Sequence, residues 1–124
     1  MTSTIGTLLT RNLLEVFNER DPKVRAEVMA EIYSAGITFY ETEQVTTGAV
    51  AVGRRVQQLL DDAPGLQFTA DGEPLINHSH GHLSWKLGPA GGPAIVKGTD
   101  VVEVRDGHIV SLYTFLTLSP ADAK

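Results

Sequence analysis

Two groups of residues in this sequence have the types and spacing for chemistry. The first is a lone carboxyl group, Asp100, within residues 98–115, GTDVVEVRDGHIVSLYTF. Asp106-Gly107 sits there between two alternating apolar runs, the strongest short signal for a two-residue hairpin turn. A tight turn pairs Arg105 with His108 and sets Val104 opposite Ile109, Val102 opposite Ser111, Asp100 opposite Tyr113 and Gly98 opposite Phe115. Those residues share one face, most of it apolar, on which Asp100 is the exception. A buried, unpaired carboxylate costs on the order of several kcal/mol. Asp100 is therefore one of two things. It is a fixture of the sheet, hydrogen-bonded by Tyr113 and a neighbouring amide, or it is a general acid or base whose pKa an apolar cavity raises. In the second reading Tyr113 orients it.

The second group is the run NHSHGHL, in which His78, His80 and His82 alternate with Ser79, Gly81 and Leu83. Three imidazoles on one face suit a metal site in type. Next-but-one residues on a strand stand ~7 Å apart, so strand spacing does not readily bring all three onto one ion. A solvated or dimer-facing strand is the simpler reading, and no metal site is expected. His80 is the candidate proton shuttle beside Asp100.

The elements that must position these groups follow from periodicity. Ser3 or Thr4 caps a first helix carrying Leu8, Leu9, Leu13, Val16 and Phe17 at helical spacing. Asp21-Pro22 opens a second helix, with Val24, Val28, Met29, Ile32 and Tyr33 on its apolar stripe and Gly36 as its left-handed end. ITFYE, residues 37–41, reads as a strand with Ile37, Phe39 and Glu41 on one side and Thr38 and Tyr40 on the other. Residues 43–48 are a short strand or loop. A third helix spans 49–62, with Val52, Val56, Leu59 and Leu60 inward and Arg54 and Arg55 on a solvated face. From Leu66 to about Leu118 strands dominate, and 119–124 read as a frayed tail. Helices first and strands later imply α+β, a cone-shaped curved antiparallel sheet wrapped over three N-terminal helices and enclosing a cavity.

Register decides what the cavity contains. A five-residue loop over 89–93 would pair His82 with Asp100 and would split Leu83, Trp85 and Leu87 from Val96, Val102 and Val104. A bulge near the glycines, or at Gly81, moves the register by one, sets Trp85 beside Asp100 and turns His82 outward. That register is preferred. Tyr40, Trp85, Tyr113 and Phe115 then line an aromatic, substrate-binding cavity, although Phe115 reads more simply as core. Glu41 and Glu43 fall at the rim or in solvent.

The totals narrow the function classes. A chain of 124 residues is expected to form one domain, 1–124, with its core over about 7–118. A formal net charge of −5 argues against a general nucleic-acid binder. Having no cysteine, the chain has neither disulfides nor thiolate catalysis. Its start lacks the basic segment and long apolar core of a signal peptide, and no apolar run approaches the ~18 residues of a membrane span. A cytoplasmic protein without membrane association is the expectation.

The helical hairpin feeding ITFYE, Thr47-Gly48 before the third helix, Trp85 in a strand and the closing GTDVVEVRDGHIVSLYTFL together resemble the nuclear-transport-factor-2-like superfamily, and within it the SnoaL-like branch. The resemblance runs from about Thr7 to Leu118. It implies a site at Asp100, the position of the protonated aspartic acid in the oxyanion hole of ketosteroid isomerases and of a late-strand catalytic aspartate in SnoaL-like cyclases. It also implies a homodimer. The isomerase tyrosine falls at Leu13 and the isomerase base at Tyr40, while the arginine of limonene-type epoxide hydrolases falls at Gly98. Neither of those sets of catalytic residues is intact. Two readings remain. One is a small cofactor-independent enzyme of isomerase or cyclase type, acting by acid–base chemistry on a hydrophobic cyclic or polyketide-like carbonyl compound. The other is a non-catalytic small-molecule-binding or dimerisation module of the same fold.

Overall fold

The computed structural model describes residues 4–118. Ser3 and the expected tail over 119–124 lie outside the described residues. Helix α1 (Ile5–Arg11) is capped by Thr4, whose Oγ1 accepts from the Thr7 amide at 3.1 Å. It continues as a π-turn over Asn12–Val16, closed by a hydrogen bond from the Phe17 amide to the Asn12 carbonyl. Such wide turns are rare and leave no compositional trace. Helix α2 (Pro22–Ile32) starts as expected, with Asp21 accepting from the Lys23 amide and proline at the first position. It ends four residues before Gly36. Tyr33 is already extended and opens strand β1 (Tyr33–Tyr40), and its buried hydroxyl donates to Asn12 Oδ1. That tertiary contact overrides the helical stripe, and Gly36 is not a left-handed cap but part of the strand.

Strand β2 (Val45–Thr47) follows, then α3 (Ala49–Asp61), β3 (Leu66–Ala70), β4 (Leu75–Asn77), β5 (His80–Pro89), β6 (Val96–Arg105) and β7 (His108–Leu118). The strand order is β2-β1-β7-β6-β5-β3, with β4 paired to the other end of β5. The fold is α+β, three helices under a large curved, open sheet. That sheet is mixed: β1 lies parallel to β7, and its remaining pairs are antiparallel.

One face of the sheet meets the helices. Leu8, Leu9 and Leu13 of the first helix, Met29 and Ile32 of α2, and Val52, Val56 and Leu60 of α3 are buried against Ile37, Phe39, Leu83, Trp85, Val102, Ile109 and Leu112. Gly81 lets α1 approach: a Cβ there would stand 2.5 Å from Ile5 Cγ2 and 2.7 Å from Leu9 Cδ1. The polar break after the π-turn works as a clasp. Asn18 exchanges two hydrogen bonds with the Phe68 backbone, and Arg20 donates to the carbonyls of Leu60, Ala63 and Leu66, from the end of α3 to the start of β3. Arg25, at helical spacing from Met29 and Ile32 and so on the same inner face, is buried and donates to the Glu19 carbonyl and to Gln57.

The hairpin register differs from the expected one. Arg105 pairs with His108 and Val104 with Ile109, around a turn with positive φ at Asp106 and Gly107. Glu103 then pairs with Ser111, so Val110 is an extra residue on β7. A one-residue bulge sends every later side chain to the opposite face. Asp100 faces Thr114 rather than Tyr113, and Gly98 faces Leu116 rather than Phe115. Between β5 and β6 the preferred register is the one found, with Leu83 opposite Asp100 and Trp85 opposite Gly98.

Candidate active site

Asp100 is 4% exposed, on the helix-facing side of β6. Alternation puts Gly98, Asp100 and Val102 on one face, and the facing residues of β5 and β7 bring Trp85 and Thr114 to the same carboxyl group. Trp85 Nε1 donates to Oδ1 at 3.0 Å, and Thr114 Oγ1 donates to the same oxygen at 2.9 Å. Among the described residues nothing donates to Oδ2. Gly98 makes the tryptophan contact possible: a Cβ there would lie 2.4 Å from Trp85 Cζ2 and 2.7 Å from the Phe115 carbonyl oxygen. The indole occupies the space that an arginine at this position would need. Burial raises the Asp100 carboxyl to about 6, and the Thr114 and Trp85 hydrogen bonds only partly oppose it.

The carboxyl group opens onto a cavity of about 240 Å³ between the sheet and the helices. Its walls come from the π-turn (Leu13), the ends of β1 and α3, and the inner faces of β3, β5, β6 and β7. Phe39, Phe17, Phe68 and Trp85 form a continuous edge-to-face series, with centroid separations of 5.8, 5.8 and 5.1 Å. This series holds the indole in place and makes the chamber apolar. At the mouth stands Glu41, continuing the inward row of Ile37 and Phe39. Arg55 of α3 grips it through two hydrogen bonds, Nε to Oε2 at 2.8 Å and Nη2 to Oε1 at 2.9 Å, which raise the guanidinium above its ordinary pKa. Arg55 is thus tied to the site rather than merely solvated.

A second polar pair lies deeper in the core. Tyr33 is buried, and its pKa is pushed well above that of an ordinary phenol, first by burial and then by the Asp100 charge. Its partner Asn12 is fully buried, and Asn12 Nδ2 has no hydrogen-bond partner among the described residues.

Of the residues singled out by sequence, the site brings together Asp100 and Trp85. Tyr113 and Phe115 lie on the opposite face of the sheet, 39% and 55% exposed, because of the bulge at Val110. Tyr40 is on that outer face too, stacked on Tyr113 with ring centroids 4.2 Å apart. His80 pairs with Glu103 and His82 with Val101, which are outward positions of β6, so no imidazole of the run reaches Asp100. His78 lies at the tip of the β4–β5 turn with φ of 52°. Among the described residues no group of three or more His, Cys, Asp and Glu is arranged to hold a metal ion. Two residues that sequence reasoning passed over or left in solvent belong to the site, Thr114 and Arg55, while Glu41 stands at the rim, one of the two places expected for it. Alternation from Ile37 and Phe39 is the signal that places Glu41 inward; nothing local marks the other two.

No protein-family model matches the chain, and no curated protein matches it. Solved structures do. A candidate isomerase of the SnoaL-like family from Agrobacterium tumefaciens superposes with a TM-score of 0.83 at 22% identity, over 89% of this chain and 94% of that one. A candidate ketosteroid isomerase from Kribbella flavida gives 0.70 at 20% identity, over 92% and 78%. A candidate SnoaL-like polyketide cyclase from Jannaschia gives 0.70 at 16%, over 94% and 90%. Among the described residues no helix is long and apolar enough to cross a membrane. Element order, curved sheet and superposition agree: this chain has the nuclear-transport-factor-2-like fold.

Proposed function

We propose that this chain is a small enzyme that moves a proton on a carbon next to a carbonyl group, in a hydrophobic cyclic or polyketide-like compound. The observation that carries this reading is the half-used carboxyl group of Asp100. Oδ1 is fixed by two donors, Oδ2 has none among the described residues, and the group faces an apolar chamber. A carboxyl poised at about 6 is available as a base near neutral pH and is strong enough to matter there. In the step proposed, Asp100 Oδ2 takes the proton, the C–H electron pair moves into the carbon–carbon bond, and the carbonyl π pair moves onto oxygen as an enolate. The neutral acid then returns the proton to the same carbon or to a conjugated one. Trp85 and Thr114 keep Oδ1 occupied and so direct Oδ2 at the ligand. A carboxylate of this strength favours carbon acids activated twice over, as is the methylene between two carbonyls of a polyketide.

The names of the structural neighbours, candidate isomerases and cyclases, favour the same class. The test is deuterium exchange into β-tetralone, a bicyclic ketone with an acidic α-carbon, followed by NMR. Exchange above the buffer rate that is lost in Asp100→Asn supports the reading. Equal exchange by both proteins sinks it and leaves a binding module.

We also propose a homodimer formed through the outer sheet face. Val45, Tyr40, Tyr113, Val101, His82 and Leu75 form one row across six strands there, and Val45, Tyr113 and Leu75 are exposed. Sedimentation showing only the 13.4 kDa species across micromolar concentrations contradicts it.

A further inference from the structure

The apolar chamber has a polar neighbour at Glu41. A second hollow, also about 240 Å³, opens beyond it between the β1–β2 turn and α3. The two hollows share Glu41, Thr114 and Leu116, so they meet along one wall. Thr114 links them chemically, because its hydroxyl donates to Asp100 inside while its residue lines the space outside. The turn that roofs the outer hollow is tight: the Glu41 amide donates to the Gln44 carbonyl at 2.8 Å.

The two hollows differ in chemistry. The inner one is apolar with a single carboxyl group at depth. The outer one is lined by Glu41, Thr42, Glu43, Gln44 and Arg55. Its one guanidinium has three of about five N–H donors engaged, with Nε and Nη2 on Glu41 and Nη1 on Gln58 at 3.3 Å. Glu41 accepts one of these bonds on each oxygen, and a carboxylate has about four acceptor sites, so roughly half remain. Glu43 adds a second carboxylate, exposed and without an ion pair among the described residues. Two carboxylates against one occupied guanidinium leave a surplus of acceptors and of negative charge.

We propose that this outer hollow is a second subsite that takes the far end of the ligand, and that this end is a neutral or cationic hydrogen-bond donor, such as a hydroxyl, amide or ammonium group, and not a carboxylate. The inference rests on the reading that a carbonyl compound fills the inner chamber, and it deepens that reading into a substrate class: an apolar ring body with a carbonyl at one pole and a donor at the other. Hydrogen bonds to an ionised acceptor are among the stronger ones. A carboxylate tail would meet like charge and would have to compete with Glu41 for Arg55, which is discrimination by repulsion.

Calorimetric titration of the wild-type protein tests this with three β-tetralones that carry methyl, hydroxymethyl or carboxylate on the aromatic ring. The hydroxymethyl compound is expected to bind about tenfold tighter than the methyl compound, and the carboxylate about tenfold weaker than the hydroxymethyl. In Glu41→Gln the hydroxymethyl advantage shrinks to within about threefold, and the carboxylate gains because Arg55 is released. Glu43→Gln, at an exposed position, serves if the first variant does not fold, and it should relieve part of the carboxylate penalty. Equal binding of the methyl and hydroxymethyl compounds, or tightest binding of the carboxylate, overturns the subsite. The inner-chamber reading survives in that case if the methyl compound binds and exchanges deuterium. Failure of all three to bind overturns both.

Discussion

Arg25 and Asp100 are both charge-bearing side chains taken almost wholly out of solvent, at 2% and 4% exposure, and they are treated in opposite ways. Arg25 joins elements: its two terminal nitrogens hold the Glu19 carbonyl before α2 and the Gln57 side chain on α3. Desolvation lowers its pKa, and no carboxylate touches it directly among the described residues. Asp100 joins its strand neighbours through one oxygen, has no donor on the other among the described residues, and lines a cavity walled by aromatic rings. Burial alone therefore does not mark a functional group. An unused valence next to a cavity does, because its cost to the fold has no structural return.

Breaking the two groups in turn should give opposite results. Arg25→Met strips the donors from two half-buried acceptors, and each orphaned group costs on the order of 1–3 kcal/mol at most. A loss of about 3 kcal/mol in urea unfolding is expected, with tetralone exchange per folded molecule unchanged. Asp100→Asn should do the reverse. The folded-state pKa is raised from 3.8 to about 6, so the wild type loses stability as pH rises from about 4 to about 6 and stays at that lower level above. The asparagine carbonyl still accepts from Trp85 and Thr114 without the charge. The variant should gain on the order of 1–3 kcal/mol at about pH 8 and nothing below about pH 4, while exchange is abolished. A destabilised Asp100→Asn at about pH 8 would put Asp100 in the same class as Arg25.

Smaller changes sharpen the contrast. Trp85→Phe removes one donor that lowers the Asp100 pKa and opens a small void. A loss of about 1–2 kcal/mol is expected, with the midpoint of the exchange–pH profile moving upward. A midpoint that stays put would separate the indole from the carboxyl group. Tyr113→Phe, on the outer face, should change stability by less than about 0.5 kcal/mol and exchange not at all. A clear drop in exchange would return Tyr113 to the site.

Much of this fold is legible in the order of residues. Asp106-Gly107 marks its turn, Asp21-Pro22 marks a helix start, and the demand that Leu83, Trp85 and Val102 share one face selects the register that joins Trp85 to Asp100. The bulge at Val110 is not legible, because an extra residue in a run of β-formers changes only which side each later residue takes. That single step moved Tyr113 and Phe115 out of the cavity and brought Thr114 in. Tyr40 was legible against its assigned role: it alternates with Ile37 and Phe39, and the same alternation pointed Glu41 inward. Spacing from Met29 and Ile32 does put Arg25 on the inner face, but its partners, like the clamp of Arg55 on Glu41, depend on what other elements bring, which periodicity within one helix does not encode.

The most direct test of Asp100 is its own titration, followed by carboxyl-carbon NMR in the presence and absence of β-tetralone, with Asp100→Asn identifying the resonance. A midpoint near the 6 set by burial, moved by the ketone, is the expected result. A midpoint near the ordinary 3.8, indifferent to the ketone, would mean that Asp100 is solvated or structurally spent and is not the proton-transfer group of the cavity.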